Sequence, residues 1–336
     1  MAAAAFRSFG PPSVLQLETD FPRPTRRKGE LLIKVVAASI NPIDWKTRKG
    51  DVPRFAVTRP KIPGGDVAGL VEEADPGSQF KPGDRVFGCN GNQIFWSTYG
   101  TYAEYAVAHE DSVLPIPEGW SFNEAAAVPL AAMTAWQAMQ PSMPLQGKRV
   151  LVHAGAGGVG SFAIQIAKAQ GAWVATTCSG RNAGFVTETL GADLAIDYTK
   201  QKFEDATAEP YDLVVDLIGG DYEWRSLPLL KRSGHFANIL NSGFLHQYGP
   251  VKGPALLTYY TARGMLLGAI SGPRYTFTIM KHQARHGLAE LAELMKAGKL
   301  KVTIHEVLPL AEAAKAHEIS ETGRVRGKLV LQVAKE

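Results

Sequence analysis

A glycine-rich run in the middle of the chain, His153-Ala-Gly-Ala-Gly-Gly-Val-Gly160, limits the possible folds more than any other stretch. The run Arg149-Val-Leu-Val152 before it, apolar after its first residue, predicts a buried strand, and Ser161 to Gln170 after it, rich in Ala and Ile, predict a helix. The glycines at this strand-to-helix turn are spaced as G-x-G-x-x-G: Gly155, Gly157 and Gly160. Such a turn lets backbone N–H groups approach a pyrophosphate at a helix N-terminus, so it predicts a dinucleotide site. The pyrophosphate-binding amides are expected from Gly158, Val159 and Gly160.

Length and charge narrow the class of protein. At 336 residues the chain is long enough for two domains, and 45% hydrophobic with 20% charged residues is typical of a globular protein with a full core. Its 36 basic and 32 acidic residues give a net charge of +4. This balance does not indicate nucleic acid or a membrane as the main partner. We therefore expect no nucleic-acid partner.

Neither a membrane span nor a cysteine framework is expected. The stretch nearest to a membrane span, Ala125 to Met139, is interrupted by Pro129, Thr134 and Gln137. The start, Met1 to Phe9, has one Arg and too short an apolar stretch for a signal peptide. Cys89 and Cys178 are the only cysteines, which excludes a disulfide framework and a Cys-rich metal site. We expect a reduced, cytoplasmic compartment.

Three zones differ in pattern along the chain. From Glu30 to about Pro117, short strand-like runs separated by Pro-Gly turns predict a β-rich barrel. From about Asn123 to Ser271, strands alternate with helices such as Ala183 to Leu190, which predicts βαβ units and a parallel sheet. The last zone combines an amphipathic helix, expected at Thr278 to Ala297, with strand-like residues that return to the β-rich domain.

The residues after the second predicted strand of this parallel sheet favour NADPH over NADH. NAD-binding folds place an Asp or Glu there to bind the ribose 2′-hydroxyl. Here the strand ends at Thr177 to Arg181, and no Asp or Glu occurs between Ala125 and Thr187. Arg181 could bind a 2′-phosphate with charged, forked donors. The alternative is that Arg181 only opens a solvated helix.

Motifs along nearly the whole chain resemble the quinone oxidoreductase (zeta-crystallin) branch of the medium-chain dehydrogenases/reductases. They fall in the family's order and spacing: Asn41-Pro-Ile-Asp44, Pro63-Gly-Gly-Asp-Val-Ala-Gly69, Pro82-Gly-Asp-Arg-Val86, Gly100-Thr-Tyr-Ala-Glu-Tyr105, Val128-Pro-Leu-Ala131, Gly157-Gly-Val-Gly160, Leu190-Gly-Ala-Asp193 and Gly327-Lys-Leu-Val330. Asn41 to Lys46, followed by Lys49-Gly50, is most similar to the plant chloroplast envelope subgroup.

This resemblance implies an α/β protein of two domains. The chain ends, 1–122 and 272–336, would form a GroES-like β-rich catalytic domain, and 123–271 a Rossmann domain with a doubly wound parallel sheet that binds NADPH. It also implies a homodimer and NADPH-dependent reduction of quinones or of carbon–carbon double bonds conjugated to a carbonyl. It leaves open a plastid location and peripheral membrane association. The implied cofactor contacts beyond the glycine turn are Ser179, Arg181, Tyr198 and Lys328.

Zinc is not expected. Zinc enzymes of this superfamily carry Gly-His-Glu where this chain has Gly64-Gly65-Asp66. His282 and His286 have the i, i+4 spacing of a chelating pair on the predicted helix, but Gln283 replaces the Glu of H-E-x-x-H. Without zinc as a Lewis acid, hydride donation to an electrophilic acceptor is favoured over alcohol oxidation.

Four residues are the candidate catalytic set. By the resemblance, Asn41 and Asp44 border the nicotinamide, although both could simply form a local Asx-turn around Pro42. Lys46 could stabilise an enolate or be a surface lysine. Thr134 resembles the family's nicotinamide-side threonine or is a buried helix residue.

Aromatic and apolar side chains complete the expected site. An aromatic wall for a flat acceptor, or part of the core, is expected from Phe55, Phe95, Trp96 and Tyr99. The floor under the nicotinamide ribose is expected from Ile218, Gly219, Gly220 and Ile239. Quinone and enone reductases share all these motifs, so the acceptor stays open. The alternative function is an NADPH-binding structural or RNA-associated protein with incidental reductase activity.

Overall fold

The computed structural model describes residues 1–90, 97–239, 272–278 and 280–335 with single positions 258, 262 and 266. Within these residues there are two large sheets, of six and seven strands, and one small sheet of two strands. In chain order the strands are β1 Ala3–Ala5, β2 Gln16–Glu18, β3 Glu30–Ile40, β4 Asp66–Glu73, β5 Arg85–Cys89, β6 Tyr105–His109, β7 Val113–Pro115, β8 Arg149–Val152, β9 Trp173–Cys178, β10 Leu194–Asp197, β11 Tyr211–Asp216, β12 Leu230–Ile239, β13 Arg274–Thr278, β14 Ile304–Pro309 and β15 Lys328–Gln332. The helices are α1 Pro42–Lys49, α2 Phe122–Ala126, α3 Pro129–Met139, α4 Gly158–Ala169, α5 Asp221–Ser226, α6 Leu288–Lys296 and α7 Ala313–Glu321.

One compact unit comprises Met1–Met133, Lys281–Lys296 and Val302–Glu336. Its seven-stranded sheet has the order β14-β15-β3-β4-β5-β7, with β6 also paired to β3. The long strand β3 pairs antiparallel with β4, β6 and β15, so it joins the N-terminal strands to the end of the chain. Side chains of β3, including Leu31, Ile33 and Val35, lie in the core of this unit.

The other unit comprises Thr134–Met280 and Ala297–Lys301. Its six strands have the order β10-β9-β8-β11-β12-β13, and each neighbouring pair is parallel. Val150, Leu151 and Val152 in β8 are fully buried, as expected of a strand covered on both faces. The predicted α/β fold, with a β-rich domain and a domain built on a parallel sheet, is confirmed. We call the first unit the GroES-like unit, after the resemblance given above.

Two predicted helices differ from the structure. The helix expected at Thr278 to Ala297 is wrong in its first half: Thr278 is the last residue of β13, Ala284–His286 form a short 3₁₀ turn, and the helix α6 begins only at Leu288. Gly287, with φ of 131°, separates α6 from this 3₁₀ turn. The segment expected as a helix at Ala183 to Leu190 is helical over residues 183–189, but Phe185–Thr189 take the π-helical form.

The units also divide the chain at other positions than the predicted bounds 1–122, 123–271 and 272–336. Residues 123–133 fall with the GroES-like unit, and β13 falls with the parallel sheet. Among the helices that the structure describes, none has the length and apolar character that a membrane span needs.

Candidate functional site

The glycine loop joins β8 to α4 as the spacing predicts. Gly157 is the N-cap residue of α4 and has no side chain to cap it. The N–H groups of the first helical turn, at Gly158, Val159 and Gly160, therefore have neither an intrahelical nor a side-chain partner. Such N–H groups at the positive end of a helix form an anion site.

The three glycines differ in what surrounds them. A Cβ on Gly155 would overlap Thr176 Oγ1, and a Cβ on Gly160 would clash with the Ala154 carbonyl oxygen and lie 2.7 Å from Gly155 Cα. A Cβ on Gly157 would meet only the Ala154 carbonyl oxygen, at 3.4 Å. Gly155 and Gly160 are thus required by the loop itself, whereas Gly157 leaves open space beside the free N–H groups. This cradle fits a dinucleotide pyrophosphate.

Residues for a ribose phosphate lie at the carboxyl ends of two adjacent strands. Ser179 and the exposed Arg181 follow β9, and Tyr198 follows β10, with its N–H donating to the Cys178 carbonyl oxygen at 3.2 Å. The Tyr198 side chain is 51% exposed. The parallel pairing of β9 with β10 therefore brings the three predicted phosphate ligands to one edge of the sheet.

A basic, aromatic cavity of about 310 Å³ adjoins Tyr198. Its lining includes three cationic and three aromatic side chains: Lys200, Lys202, Arg225, Tyr198, Phe203 and Tyr222. Sequence reasoning did not single out this cavity, because its walls come from the segment after β10 and from α5.

One acidic residue near this edge was missed as well. Asp197, the last residue of β10, lies on the strand next to β9 and not at the end of β9 itself. Its carboxylate accepts hydrogen bonds from the Thr199 hydroxyl (2.7 Å) and backbone N–H (3.0 Å), and these together with the Gly180 N–H and Lys200 hold its pKa below the usual value. Asp197 therefore holds the Ser179–Arg181 turn in place.

The predicted ribose floor lies at the ends of β11 and β12. Asp216 Oδ1 accepts hydrogen bonds from the N–H groups of Ile218 and Gly219, both at 2.9 Å. Gly219 and Gly220 have φ of 74° and 67°, a left-handed pair that glycine adopts without strain. Ile239 ends β12, the parallel neighbour of β11. Asp216 is thus a positioning residue for this turn that sequence reasoning missed.

A buried polar network lies in the GroES-like unit, centred on Asp66. Its carboxylate accepts hydrogen bonds from Ser39 Oγ (2.6 Å), Asn41 Nδ2 (2.8 Å) and the Leu130 N–H (2.8 Å). Lys328 Nζ lies 3.7 Å from it and donates to Asn41 Oδ1 at 2.6 Å. Asp66 is fully buried and Lys328 only 4% exposed. The predicted Asn41 and Lys328 therefore share one inward-facing cluster, and contact of Lys328 with a cofactor stays a prediction.

Asp44 extends this network at the start of α1. Asp44 Oδ2 accepts hydrogen bonds from the Asn41 N–H (2.7 Å) and the Tyr102 hydroxyl (2.9 Å). The Asn41 side chain is bonded to Asp66 and Lys328. Burial raises the pKa of Asp44 to about 7, and burial lowers the pKa of nearby Lys61 to about 7. Burial therefore favours the neutral forms of both side chains.

We expect the contribution of Asp44 to stability to fall as the pH rises from about 4 to about 7. The folded protein keeps this proton up to about pH 7, whereas the unfolded chain loses it near its ordinary pKa of 3.8. The group's stabilising contribution is therefore complete below about pH 4 and declines by about 1.4 kcal/mol per pH unit as the pH rises toward 7. Asp44→Asn stays neutral and can still accept both hydrogen bonds. Urea unfolding at pH 5 and pH 8 should show the variant gaining stability relative to wild type at the higher pH, and parallel pH profiles would contradict this.

The other candidate catalytic residues lie on helices. Lys46, on α1, is half-buried with Nζ 5.4 Å from the Trp45 ring centroid, and burial lowers the pKa of its ammonium. Thr134 lies buried within α3. Their catalytic roles stay a prediction.

The predicted aromatic wall is described only in part. The Phe55 side chain is 85% exposed, and the Tyr99 ring packs edge-on against Phe21 with centroids 6.1 Å apart. Phe95 and Trp96 lie outside the described residues. An acceptor-binding role for the four stays a prediction.

The residues at the expected zinc position do not fit a zinc ion. Asp66 stands where zinc enzymes have the Glu of Gly-His-Glu, and its carboxylate already binds three donors beside the Lys328 ammonium. His282 precedes a 3₁₀ turn that ends at His286, so the pair lacks the helical geometry predicted for it. Within the described residues, no group of three or more His, Cys, Asp or Glu side chains is arranged to hold a metal ion.

Comparison with known families supports this architecture. Residues 27–118 match the alcohol dehydrogenase GroES-like domain, and residues 190–331 match the zinc-binding dehydrogenase family. The chain is 33% identical over 98% of its length, and 79% of the relative's, to a 2-methylene-furan-3-one reductase of Solanum lycopersicum. It is 31% identical over 99% of its length, and 98% of the relative's, to a chloroplast envelope quinone oxidoreductase homolog of Arabidopsis thaliana.

Solved structures of quinone oxidoreductases have the same fold over nearly the whole chain. A quinone oxidoreductase from Coxiella burnetii superposes with a TM-score of 0.86 at 38% identity, covering 99% of both chains. Escherichia coli quinone oxidoreductase complexed with NADPH superposes with a TM-score of 0.79 at 26% identity, covering 99% of this chain and 100% of that one. The chain belongs to the medium-chain dehydrogenase/reductase superfamily, among the quinone oxidoreductase homologues, and the resemblance read from its motifs is confirmed.

Proposed function

We propose that this protein is an NADPH-dependent reductase of quinones or of carbon–carbon double bonds conjugated to a carbonyl, and that it works without zinc. The observation that carries the proposal is the glycine loop, which presents free N–H groups at the start of α4 beside the open space at Gly157. The reductase names of relatives aligned over nearly the whole chain support the reaction class.

Different residues bind the cofactor and act on the acceptor. NADPH, when bound, supplies a hydride to an electrophilic carbon. The α4 N–H groups hold its pyrophosphate, and Ser179, Arg181 and Tyr198 hold its 2′-phosphate. Asn41, Asp44, Lys46 and Thr134 are our proposed catalytic set. Lys46 would stabilise developing enolate charge, and Asp44 can hold a proton near neutral pH.

An acceptor panel tests this function. Purified protein is assayed for NADPH oxidation with a quinone, a short enone and a long enone, with and without a chelator, while metal content is measured. We expect turnover with at least one acceptor class, no loss on chelation and no stoichiometric zinc. Turnover with neither class, together with tight and salt-sensitive RNA binding, would instead favour an NADPH-binding RNA-associated protein.

Arg181→Ala should separate the two nicotinamide cofactors. Only NADPH carries the 2′-phosphate, so losing this charged donor should weaken NADPH binding about ten- to a hundredfold and leave NADH binding almost unchanged. Tyr198→Phe, which removes a neutral donor, should have a smaller effect in the same direction. The measurement is the dissociation constants of wild type and Arg181→Ala for NADPH and for NADH. Equal weakening of the two would show that Arg181 acts on the fold or the pyrophosphate.

The oligomeric state and the cellular location of the protein are also proposed. We propose a homodimer, as the family implies, to be tested by sedimentation. A cytoplasmic location is supported by the thiol state of the two buried cysteines, Cys89 and Cys178. The chloroplast name of a plant relative makes a plastid the alternative.

A further inference from the structure

Ala154, the second residue after β8 in the glycine loop, has an unusual backbone conformation. Ala154 has φ of 55°, and it is the one non-glycine residue with positive φ in the described ranges. A side chain in this left-handed region is strained, because Cβ approaches the following carbonyl oxygen. Ala154 also carries the carbonyl oxygen that accepts the Gly157 N–H at 3.0 Å. Its conformation therefore determines where the N-cap of α4 lies.

A chain of buried hydrogen bonds holds Ala154 in this conformation. The Ala154 N–H donates to Thr177 Oγ1 at 3.0 Å, and Thr177 Oγ1 lies 3.3 Å from His153 Nδ1. His153 Nε2 lies 2.8 Å from Ser226 Oγ, which donates to the Tyr222 carbonyl oxygen at 2.6 Å. His153, Thr177 and Ser226 are each fully buried.

Proton counting fixes the direction of every bond in this chain. A carbonyl oxygen can only accept, so Ser226 uses its single hydroxyl proton on Tyr222 and must accept at His153. His153 therefore carries its proton on Nε2, and the bare Nδ1 accepts the Thr177 hydroxyl proton. Thr177 Oγ1 is then free to accept from the Ala154 N–H. Each donor in the chain has one acceptor.

The surroundings of His153 keep it neutral. Its ring packs edge-on against Phe203 and Tyr222, with centroids 4.7 and 4.9 Å away. Burial, with a smaller contribution from Arg225, lowers the pKa of His153 to about 3. A protonated ring would turn Nδ1 into a donor facing the Thr177 hydroxyl and break the order of the chain.

We propose that His153 and Thr177 are positioning residues for NADPH binding. The Nε2–H tautomer of His153 orients the Thr177 hydroxyl, and this hydroxyl holds Ala154, at the start of the glycine loop, in its left-handed conformation. This inference rests on the proposed cofactor site but adds two residues that do not touch the cofactor. It also assigns one tautomer to one histidine.

A mutant cycle tests the proposal. Thr177→Val keeps the side-chain shape and removes the hydroxyl, so NADPH should bind about tenfold more weakly, with KM raised and kcat unchanged. Thr177→Ser should bind like wild type. Ala154→Gly removes the strain that the hydroxyl offsets, so the double variant Ala154→Gly/Thr177→Val should recover to within about threefold of wild type. Unchanged NADPH affinity in Thr177→Val, or no recovery in the double variant, would overturn the proposal.

Two readouts do not depend on the cofactor. Nitrogen NMR of the ¹⁵N-histidine-labelled protein should show His153 as the Nε2–H tautomer. The His153 signals are assigned as those that disappear in a His153→Gln variant. Hydrogen exchange at the Ala154 amide should be slow in wild type and Thr177→Ser and fast in Thr177→Val. An Nδ1–H or doubly protonated ring, or an equally slow amide in Thr177→Val, would contradict the inference. Wild-type protein that fails to bind NADPH but passes both readouts would refute the proposed function and leave the positioning network standing.

Discussion

Gly160→Val is expected to abolish NADPH binding. Even the first carbon of a side chain at this position would clash with the Ala154 carbonyl oxygen and lie 2.7 Å from Gly155 Cα, both backbone atoms of the loop. The loop must shift to admit valine, and the N–H groups at the start of α4 then lose their common direction. We expect a loss of at least about a hundredfold in affinity, equivalent to about 3 kcal/mol, measured by fluorescence titration with NADPH.

Gly157→Ala is the matched control for this change. Its Cβ would meet only the Ala154 carbonyl oxygen, at 3.4 Å, so the protein should fold with wild-type thermal stability. Any loss of NADPH affinity in Gly157→Ala then reports on ligand space and not on loop distortion. Retention of NADPH affinity by Gly160→Val would show that this loop is not the pyrophosphate site.

Asp66→Ala is expected to cost the GroES-like unit about 3–5 kcal/mol of unfolding free energy. The substitution leaves the buried Lys328 ammonium without its nearest carboxylate, at 3.7 Å, and removes the acceptor of Ser39 and Asn41. Burial already lowers the pKa of Lys328, so its charge depends on this environment. Urea unfolding followed by circular dichroism measures the loss.

The double variant Asp66→Leu/Lys328→Met tests whether the cost comes from the unpaired charge. Removing both partners should cost clearly less than the sum of the single changes Asp66→Leu and Lys328→Met. The exposed pair Lys296–Glu293, with side chains 57% and 70% exposed, is the control, and Glu293→Ala should change stability little. If the losses of unfolding free energy in the two single variants simply add up in the double variant, Asp66 and Lys328 do not stabilise each other.

Local patterns made the cofactor loop predictable. The buried strand, the glycine spacing and the helix after it all lie within about twenty consecutive residues, and each has a steric reason that sequence shows directly. The absence of an acidic residue at the end of β9 is likewise visible in the local sequence. The position of Asp197 could not be predicted in this way, because Asp197 lies on β10 and only the parallel pairing of β10 with β9 brings it beside Gly180.

Contacts between distant segments could not be predicted in this way. The bond between Lys328 and Asn41 joins residues 287 positions apart. Asp66 and Tyr102 stood within family motifs, but nothing local indicated that they bind Asn41 and Asp44. The error at Thr278 has the same origin, because Thr278 pairs with Ile239 as the last residue of β13.

Transfer of deuterium from specifically labelled [4-²H]NADPH to an enone tests the central claim most directly. The product is analysed by mass spectrometry and NMR, with each hydride face of the nicotinamide labelled in turn. We predict that one labelled form, and not the other, places deuterium on the β carbon, that the α hydrogen comes from solvent and that the carbonyl remains intact. Deuterium on the carbonyl carbon, giving an alcohol, would contradict the assignment as a reductase of conjugated double bonds, and absence of transfer to both enones and quinones would contradict the proposed function as a whole.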